Sequence, residues 1–233
     1  MNHTEVIALL ENNRNEKGIQ KWKQQNSRDG ALKSFGIGLT ILRKLAKQVG
    51  RDHALALKLW KSEFYDAKII ALLVDDPKLI TQDQAESQVE NMNQGHLAHV
   101  FSSCGAPLAK TPFAVELAYD WINRKETIRR SCGYGLLYEV SKSKKKNTPD
   151  DTFFLEIIEH ISQSFSVENL IVKVSMGGTL MGIGKRNAKL NAAALKVAKT
   201  IGPIPIESDN SSCEPFDVVK HLTSDYIKNK FDV

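Results

Sequence analysis

The sequence predicts an all-α protein, a right-handed superhelix (solenoid) built from antiparallel HEAT-like helical repeats. Three observations predict it. Apolar residues recur at helical spacing through most of the 233 residues. No segment shows convincing period-two alternation. Helix pairs follow one another at about 35–45 residues, a HEAT- or armadillo-like period, giving about ten or eleven helices. The repeats share pattern and not letters, so a globular helical bundle is the competing architecture. Residues 1–233 read as one domain, with capping helices over 1–34, a repeat core over 35–205, and a C-terminal loop and helix over 206–233.

The helices are taken in order. Thr4 is placed to cap a first helix carrying Val6, Ile7, Leu9 and Leu10. Asn15 to Asn26 is polar, with Ile19 and Trp22 as its few apolar anchors, and reads as a helix packed by one edge or as a mobile arm. Ser27 to Gly38 is loop, punctuated by Gly30, Gly36 and Gly38. Thr40 to Val49 is a helix closed by Gly50, and Asp52 caps the next, through Trp60. Phe64 to Val74 stops at Asp75-Asp76-Pro77. Thr81 to Gln84 fits a capping box opening a helix to about Met92, and Gly95 to Cys104 is a short helix.

Thr111 to Val140 reads as a helical hairpin. Thr111 caps it with Pro112 at the first helical position, Asn123 and Arg124 make the turn, and Ile128, Cys132, Leu136 and Leu137 face inward. Ser141 to Asn147, with four lysines, is a solvated loop or a flexible phosphate-binding finger. Thr148 and Pro149 start a helix through Ile161. Val167 to Ile183 is apolar but broken by Gly177, Gly178 and Gly182. Leu190 to Ile201 ends at Gly202-Pro203-Ile204-Pro205. Glu207 to Ser212 is a polar loop, and Pro215 to about Lys230 is a last amphipathic helix.

A hydrophobic fraction of 42% and a charged fraction of 25% exclude disorder throughout. The net charge of 32 − 27 = +5 permits a polyanionic partner. Cys104, Cys132 and Cys213 share no metal-ligand spacing. With no leader pattern at the N-terminus, they read as reduced thiols of a cytoplasmic protein. No apolar run approaches the ~20 residues of a membrane span.

Basic residues gather where helices begin or end: Arg43, Lys44 and Lys47; Lys125, Arg129 and Arg130; Lys173; Lys185, Arg186 and Lys189. On a concave helix layer they would form a stripe that binds phosphates without reading bases. Arg129 and Arg130 lie on a helix whose positions 128, 132 and 136 are apolar. One of the two must therefore point near the core edge, where a fixed guanidinium suits a phosphate or a carboxylate. His96 and His99, one turn apart, could hold a metal only with a third ligand, and none is identifiable. Asp66 and Asp120 read as helix-surface or capping residues.

Several strings resemble the DNA alkylation repair protein family, the HEAT-like alkylpurine DNA glycosylases. They are Ile37–Lys47 (IGLTILRKLAK), Ala56–Pro77 (ALKLWKSEFYDAKIIALLVDDP), Thr127–Leu137 and Gly184–Ala194 (GKRNAKLNAAA). The resemblance implies a solenoid whose concave face holds duplex DNA. In active members a positively charged alkylated purine is excised without being inserted into a pocket, unlike base-flipping enzymes.

The family's catalytic positions can be carried over one at a time. Active members carry a Trp and, four residues later, an Asp on the helix matching Gly95–Phe101. Here those positions fall on Gly95 and His99, and no Asp, Glu or Trp lies between Asn91 and Pro107. A second family Trp falls on Gly177 or Gly178, which offers no aromatic face to a charged base. The family's phosphate-facing Arg lands on Arg130. The resemblance therefore implies a degenerate site at Gly95, His99 and Gly178 and no catalytic residues. It implies a DNA contact at Arg130, and the basic stripe read above adds Arg129, Lys125, Lys173, Lys185, Arg186 and Arg43. The expected function is binding of double-stranded or branched DNA through its backbone, with no cofactor. An active glycosylase for N3- or N7-alkylated purines and a protein-binding helical-repeat adaptor are the alternatives.

Overall fold

A computed structural model describes residues 1–26, 31–146, 148–206 and 214–231. Among them lie fourteen α-helices, two 3₁₀ turns and no strand beyond two isolated β-bridges. The helix count exceeds the expected ten or eleven. One reason is that the segment expected as a single last helix is two, separated at Thr223-Ser224. There Thr223 Oγ1 donates to the Val219 carbonyl at 2.9 Å and Ser224 Oγ to that of His221 at 3.2 Å, a local bonding that competes with continued helix. Asn15 to Asn26 also resolves as a helix and not as a mobile arm. The expected loop residues Ser27–Gly30 and Glu207–Ser212, together with Asn147 and Cys213, lie outside the described residues.

The chain forms two compact units, Met1–Phe113 and Ala114–Val233. The first holds α1 (His3–Asn12), α2 (Glu16–Gln25), α3 (Leu39–Val49), α4 (His53–Trp60), α5 (Tyr65–Val74), α6 (Gln82–Val89) and α7 (Leu97–Ser102). Its centre is α5, which buries Tyr65, Asp66, Ala67, Ile69, Ile70, Ala71, Leu72 and Val74 and packs against α1, α3, α4 and α7. Full burial of an aliphatic side chain such as Ile69 or Ile70 contributes about 1.5–3 kcal/mol. Helix α2 buries nothing completely. It docks by one edge: Trp22 Nε1 donates to the Leu32 carbonyl at 2.7 Å, and the Trp22 ring lies 4.2 Å from that of Tyr65.

Several helix starts differ from the sequence reading. Asn2, not Thr4, caps α1, because its side chain and that of Glu5 exchange bonds with each other's backbone amides, at 3.0 and 2.9 Å. Asp52 and Thr81 cap α4 and α6 as expected. Gln84, however, reaches Asp75 Oδ2 at 2.7 Å instead of completing a box. Thr111 does not cap the hairpin. It closes the 3₁₀ turn Leu108–Lys110, is buried, and donates its hydroxyl to the Leu108 carbonyl at 2.9 Å.

The second unit holds α8 (Ala114–Ile122), α9 (Thr127–Ser141), α10 (Asp151–Ser164), α11 (Leu170–Gly184), α12 (Ala188–Ile201), α13 (Val218–Leu222) and α14 (Asp225–Phe231). Asp150, not Thr148, caps α10, accepting from the Thr152 and Phe153 amides at 3.0 and 3.2 Å; a carboxylate there also meets the positive end of the helix dipole. Helix α11 runs unbroken through its glycines. At three of them a neighbour comes close: a Cβ at Gly177 would stand 2.5 Å from Ile204 Cδ1, one at Gly182 2.3 Å from Ser141 Oγ, and one at Gly184 2.7 Å from Leu222 Cδ2.

Helices α9 and α11 lie side by side and parallel, bonded at offsets of 42 to 45 residues. Asn169 reaches Thr127 (42 residues apart), Ser131 meets Ser175 (44), and Thr179 Oγ1 donates to the Tyr134 carbonyl (45). They are equivalent helices of consecutive repeats, and the offset is the HEAT-type period of about 40–47 residues.

Candidate nucleic-acid interface

The parallel pairing of α9 and α11 sorts the predicted basic residues of the second unit into two groups, one at each end of the pair.

At the N-terminal ends stand Lys125, Arg129, Arg130 and Lys173. Arg130 Nε donates to Glu168 Oε1 at 2.7 Å and its Nη2 to Oε2 at 2.9 Å. Its Nη1 donates to the carbonyls of Arg124, at 3.0 Å, and Lys125. The two side chains are 18% and 10% exposed. The guanidinium near the core edge thus meets a carboxylate, and it ties the α8–α9 turn to the start of α11. Arg129 lies with its guanidinium 6.0 Å from the buried Trp121 ring. Lys173 reaches the Ser166 carbonyl at 3.3 Å and lies 5.4 Å from the Phe165 ring. Lys125 is exposed.

At the C-terminal ends, Lys185 and Arg186 line a cleft of about 320 Å³ together with Lys142, Lys144 and Lys230. Tyr138, Ser141, Ser143, Gly182 and Asn187 also line it, and no acidic residue is among the described lining residues. Arg186 Nη1 donates to the carbonyls of Ser141 and Ser143, at 2.6 and 3.2 Å, and its guanidinium lies 4.3 Å from the Phe154 ring. Lys230 donates to the Lys185 carbonyl at 2.6 Å. Part of this charge therefore caps helix C-termini, where cations are favoured. Burial, and after it the neighbouring Lys230, hold the Lys185 ammonium below the usual lysine range. Two acids stand behind the walls: Glu139 pairs with Lys142 at 2.6 Å, and Asp151 is held by Asn187 at 2.9 and 3.1 Å.

The sequence reading found Lys185 and Arg186 but not the cleft. Lys142 and Lys144 were read with a solvated loop or phosphate finger, and Lys230 arrives from α14, 45 residues beyond Lys185, with no local signal. Lys189, on α12, is exposed and outside the cleft walls.

In the first unit Arg43 and Lys47 line a cleft of about 520 Å³ with Arg51, Lys110, Cys104 and Gly105. Lys44 is exposed and not part of it.

The family's aromatic and acidic positions have definite surroundings. Gly95 has φ +52, and a Cβ there would meet the Tyr65 ring at 2.8 Å and the Trp22 ring at 2.9 Å. Both the left-handed backbone and the space require glycine. Tyr65 accepts a hydrogen bond from the His96 amide at 3.1 Å, and burial pushes its hydroxyl up to about 12. His99 is exposed, and its Nε2 lies 2.7 Å from Cys104 Sγ. The His96 and His99 rings stand 6.5 Å apart, and no group of three metal-ligating side chains occurs among the described residues. A Cβ at Gly178 would meet nothing within 4 Å.

Asp66 departs from the sequence reading. It is fully buried and not a surface or capping residue. It accepts from Ser34 Oγ at 2.8 Å and from the Phe35 and Ile37 amides at 2.8 and 3.1 Å, so it secures the loop before α3. Burial raises its carboxyl above the usual range despite these donors. Asp120 keeps a surface role, paired with Arg124 at 2.9 Å. Among the described residues no helix is long and apolar enough to cross a membrane.

Three comparisons bear on this arrangement. A family model described as DNA alkylation repair enzyme matches residues 6–204. An uncharacterized protein of Listeria monocytogenes, Lmo0209, is 21% identical over 194 residues, covering 82% of this chain and 83% of its own length. Lin0241, an uncharacterized protein of Listeria innocua, is 22% identical over the same coverage. Among solved structures, one described as a new family of proteins related to the HEAT-like repeat DNA glycosylases with affinity for branched DNA structures superimposes with a TM-score of 0.81. It is 18% identical and covers 99% of this chain and 96% of its own. That likeness shows the HEAT-like helical-repeat fold.

Proposed function

Since the chain belongs to the DNA alkylation repair enzyme family, we propose that it binds DNA, duplex or branched, through the phosphate backbone and does not excise bases. The observation that carries the binding half is the acid-free cleft of Lys142, Lys144, Lys185, Arg186 and Lys230. Flexible ammonium groups beside guanidinium donors suit phosphate oxygens at any sequence. Lys125, Arg129 and Lys173 extend the contact at the other end of α9 and α11, and Arg43 serves the first unit. Arg130, spent on Glu168 and two carbonyls, fixes the surface that carries these side chains. The branched-DNA affinity of the structural neighbour supports the choice of partner.

The non-catalytic half follows from His99. Cleavage of a glycosidic bond builds positive charge on the sugar, and a carboxylate stabilises it; a neutral imidazole brings no such charge, and a protonated one repels it. No other acid lies on that stretch.

Fluorescence anisotropy with a four-way junction and a matched duplex, at 50 and 200 mM salt, tests binding. Neutralising about four phosphates predicts an affinity loss of about two orders of magnitude across that range. No binding at the lower salt overturns the reading. Release of 7-methylguanine or 3-methyladenine from methylated DNA by folded protein overturns the non-catalytic half and leaves the binding half standing.

A further inference from the structure

The DNA reading uses His99 only for the carboxylate it lacks and gives the thiol–imidazole pair of Cys104 and His99 no role. Its atoms are 2.7 Å apart, with His99 exposed on α7 and Cys104 half-buried just beyond the helix end. Cys104 is the one non-glycine residue with positive φ, +61, among the described residues. That conformation favours Gly or Asn, and it turns the thiol back toward His99. The second feature is the cleft of about 520 Å³ that Cys104 lines, whose other walls include Arg43, Lys47, Arg51 and Lys110 and, among the described residues, no acidic one. Arg43 Nη2 also approaches the Cys104 carbonyl, at 3.4 Å.

We propose that Cys104 is a nucleophilic thiolate, held as an ion pair by His99, whose partner is a small anionic disulfide bound by this cationic cleft. In the exchange Cys104 Sγ attacks one sulfur of the disulfide. The reagent's S–S bond breaks as the new mixed disulfide forms. One half leaves as a thiolate, which takes the proton held by His99. Cys104 is oxidised, the departing thiol is reduced, and no further oxidant is needed. Two physical effects combine. The imidazolium raises the thiolate fraction where a lone thiol is mostly protonated. The four cations concentrate an anionic reagent and leave a cationic one unassisted. Cys132 is fully buried, out of reach of a dissolved reagent.

The experiment compares two probes on the full chain at pH 6 and low ionic strength: dithionitrobenzoate, an anionic disulfide, and cystamine, a cationic one. Peptide mass mapping assigns each adduct to Cys104, Cys132 or Cys213. Cys104 is expected to react first. Because the aromatic leaving thiolate departs far more readily than the alkyl one, each rate is divided by that of a cysteine peptide with the same probe. The normalised rate is expected to be at least tenfold greater with the anionic probe, and the preference to shrink in 0.5 M salt. His99→Asn should slow Cys104 about tenfold with both probes, because a thiolate's gain in fraction exceeds its loss of nucleophilicity. Arg43→Gln with Lys47→Gln should bring the two normalised rates together, the anionic probe slowing and the cationic one being repelled less. Thermal melts verify that each variant is folded. Equal normalised rates for the two probes, or a Cys104 rate no greater than that of a cysteine peptide at the same pH, overturn the proposal. His96, Arg51 and Lys110, the other cationic or titratable groups near the pair, stay in place throughout and serve as the constant background.

Discussion

Replacing Arg130 with alanine separates its two candidate roles, phosphate ligand and structural clamp. The substitution leaves the Glu168 carboxylate, 10% exposed, without its bidentate partner. It also takes a donor from the carbonyls of Arg124 and Lys125. Breaking a buried pair from one side costs about 3–5 kcal/mol. The arginine is 18% exposed, so water re-enters and the expected loss is about 2–4 kcal/mol. Urea denaturation should show a lower midpoint at unchanged slope. Glu168→Gln should lose less, because Gln still accepts one of the two bonds. The double variant Arg130→Met with Glu168→Leu should recover part of the loss, since apolar groups of similar volume often match a buried pair. DNA affinity, measured below the unfolding transition, should change less than threefold. A loss of stability under about 0.5 kcal/mol together with a tenfold loss of DNA affinity would refute the clamp and return the guanidinium to a phosphate.

The remaining predictions use other parts of the fold. Gly178→Ala should stabilise by about 0.5–1 kcal/mol, because the site is helical and a methyl there meets nothing. Gly177→Ala should destabilise instead, by about 1–3 kcal/mol, since Ile204 and Phe216 must move; paired thermal melts test the opposite signs. Asp66→Asn should cost about 1–3 kcal/mol at neutral pH, because one of three donors loses its acceptor. The native Asp66 carboxyl titrates above its unfolded value, so its contribution is greatest at low pH and is lost as pH rises through the native value. The variant should lose that slope in urea midpoints taken from pH 4 upward. Lys185→Gln with Lys230→Gln should weaken junction and duplex binding alike and reduce the salt slope by about two. Gly95→Trp with His99→Asp, which restores the family's letters, should yield no base release and a lower melting temperature, because the Trp22 and Tyr65 rings fill the space.

Much of the fold was legible because burial repeats on a helical period. Of the hairpin residues read as inward-facing, Cys132, Leu136 and Leu137 are fully buried and Ile128 is half-buried. Helix ends were less legible. Thr4, Thr111 and Thr148 each looked like a cap, but Asn2 and Asp150 offered better acceptors, and Thr111 was drawn into the core beneath a 3₁₀ turn. The glycines of α11 looked like breaks because sequence shows their flexibility and not the neighbours that press on them. The site was legible only as letters. Arg130 could be placed at a core edge from the apolar residues around it, but its partner Glu168, 38 residues away, carries no local signature. The lysines of the α9–α11 cleft come from three separate stretches, and only the fold brings them together. Asp66 was misjudged because an acid on an amphipathic pattern ordinarily faces water; here three donors from the preceding loop hold it inside.

The position of the family's catalytic pair shows how a binding surface can outlast its chemistry. Gly95 is not a tryptophan trimmed to nothing, leaving a hole. Its left-handed backbone sits against two rings that arrive from α2 and α5, so the apolar volume has been supplied from elsewhere and the stretch keeps its packing. At the acid's position, His99 has turned to a thiol. The two changes have different physical consequences. Losing a carboxylate removes the negative charge that glycosidic cleavage requires, and it also removes a charge that would repel phosphate. On a surface that holds DNA without cutting its bases, as proposed above, both changes would act in the same direction. The residues that hold the shape, Arg130 with Glu168 and Asp66 with its three donors, are paired inside the protein and place no demand on a ligand.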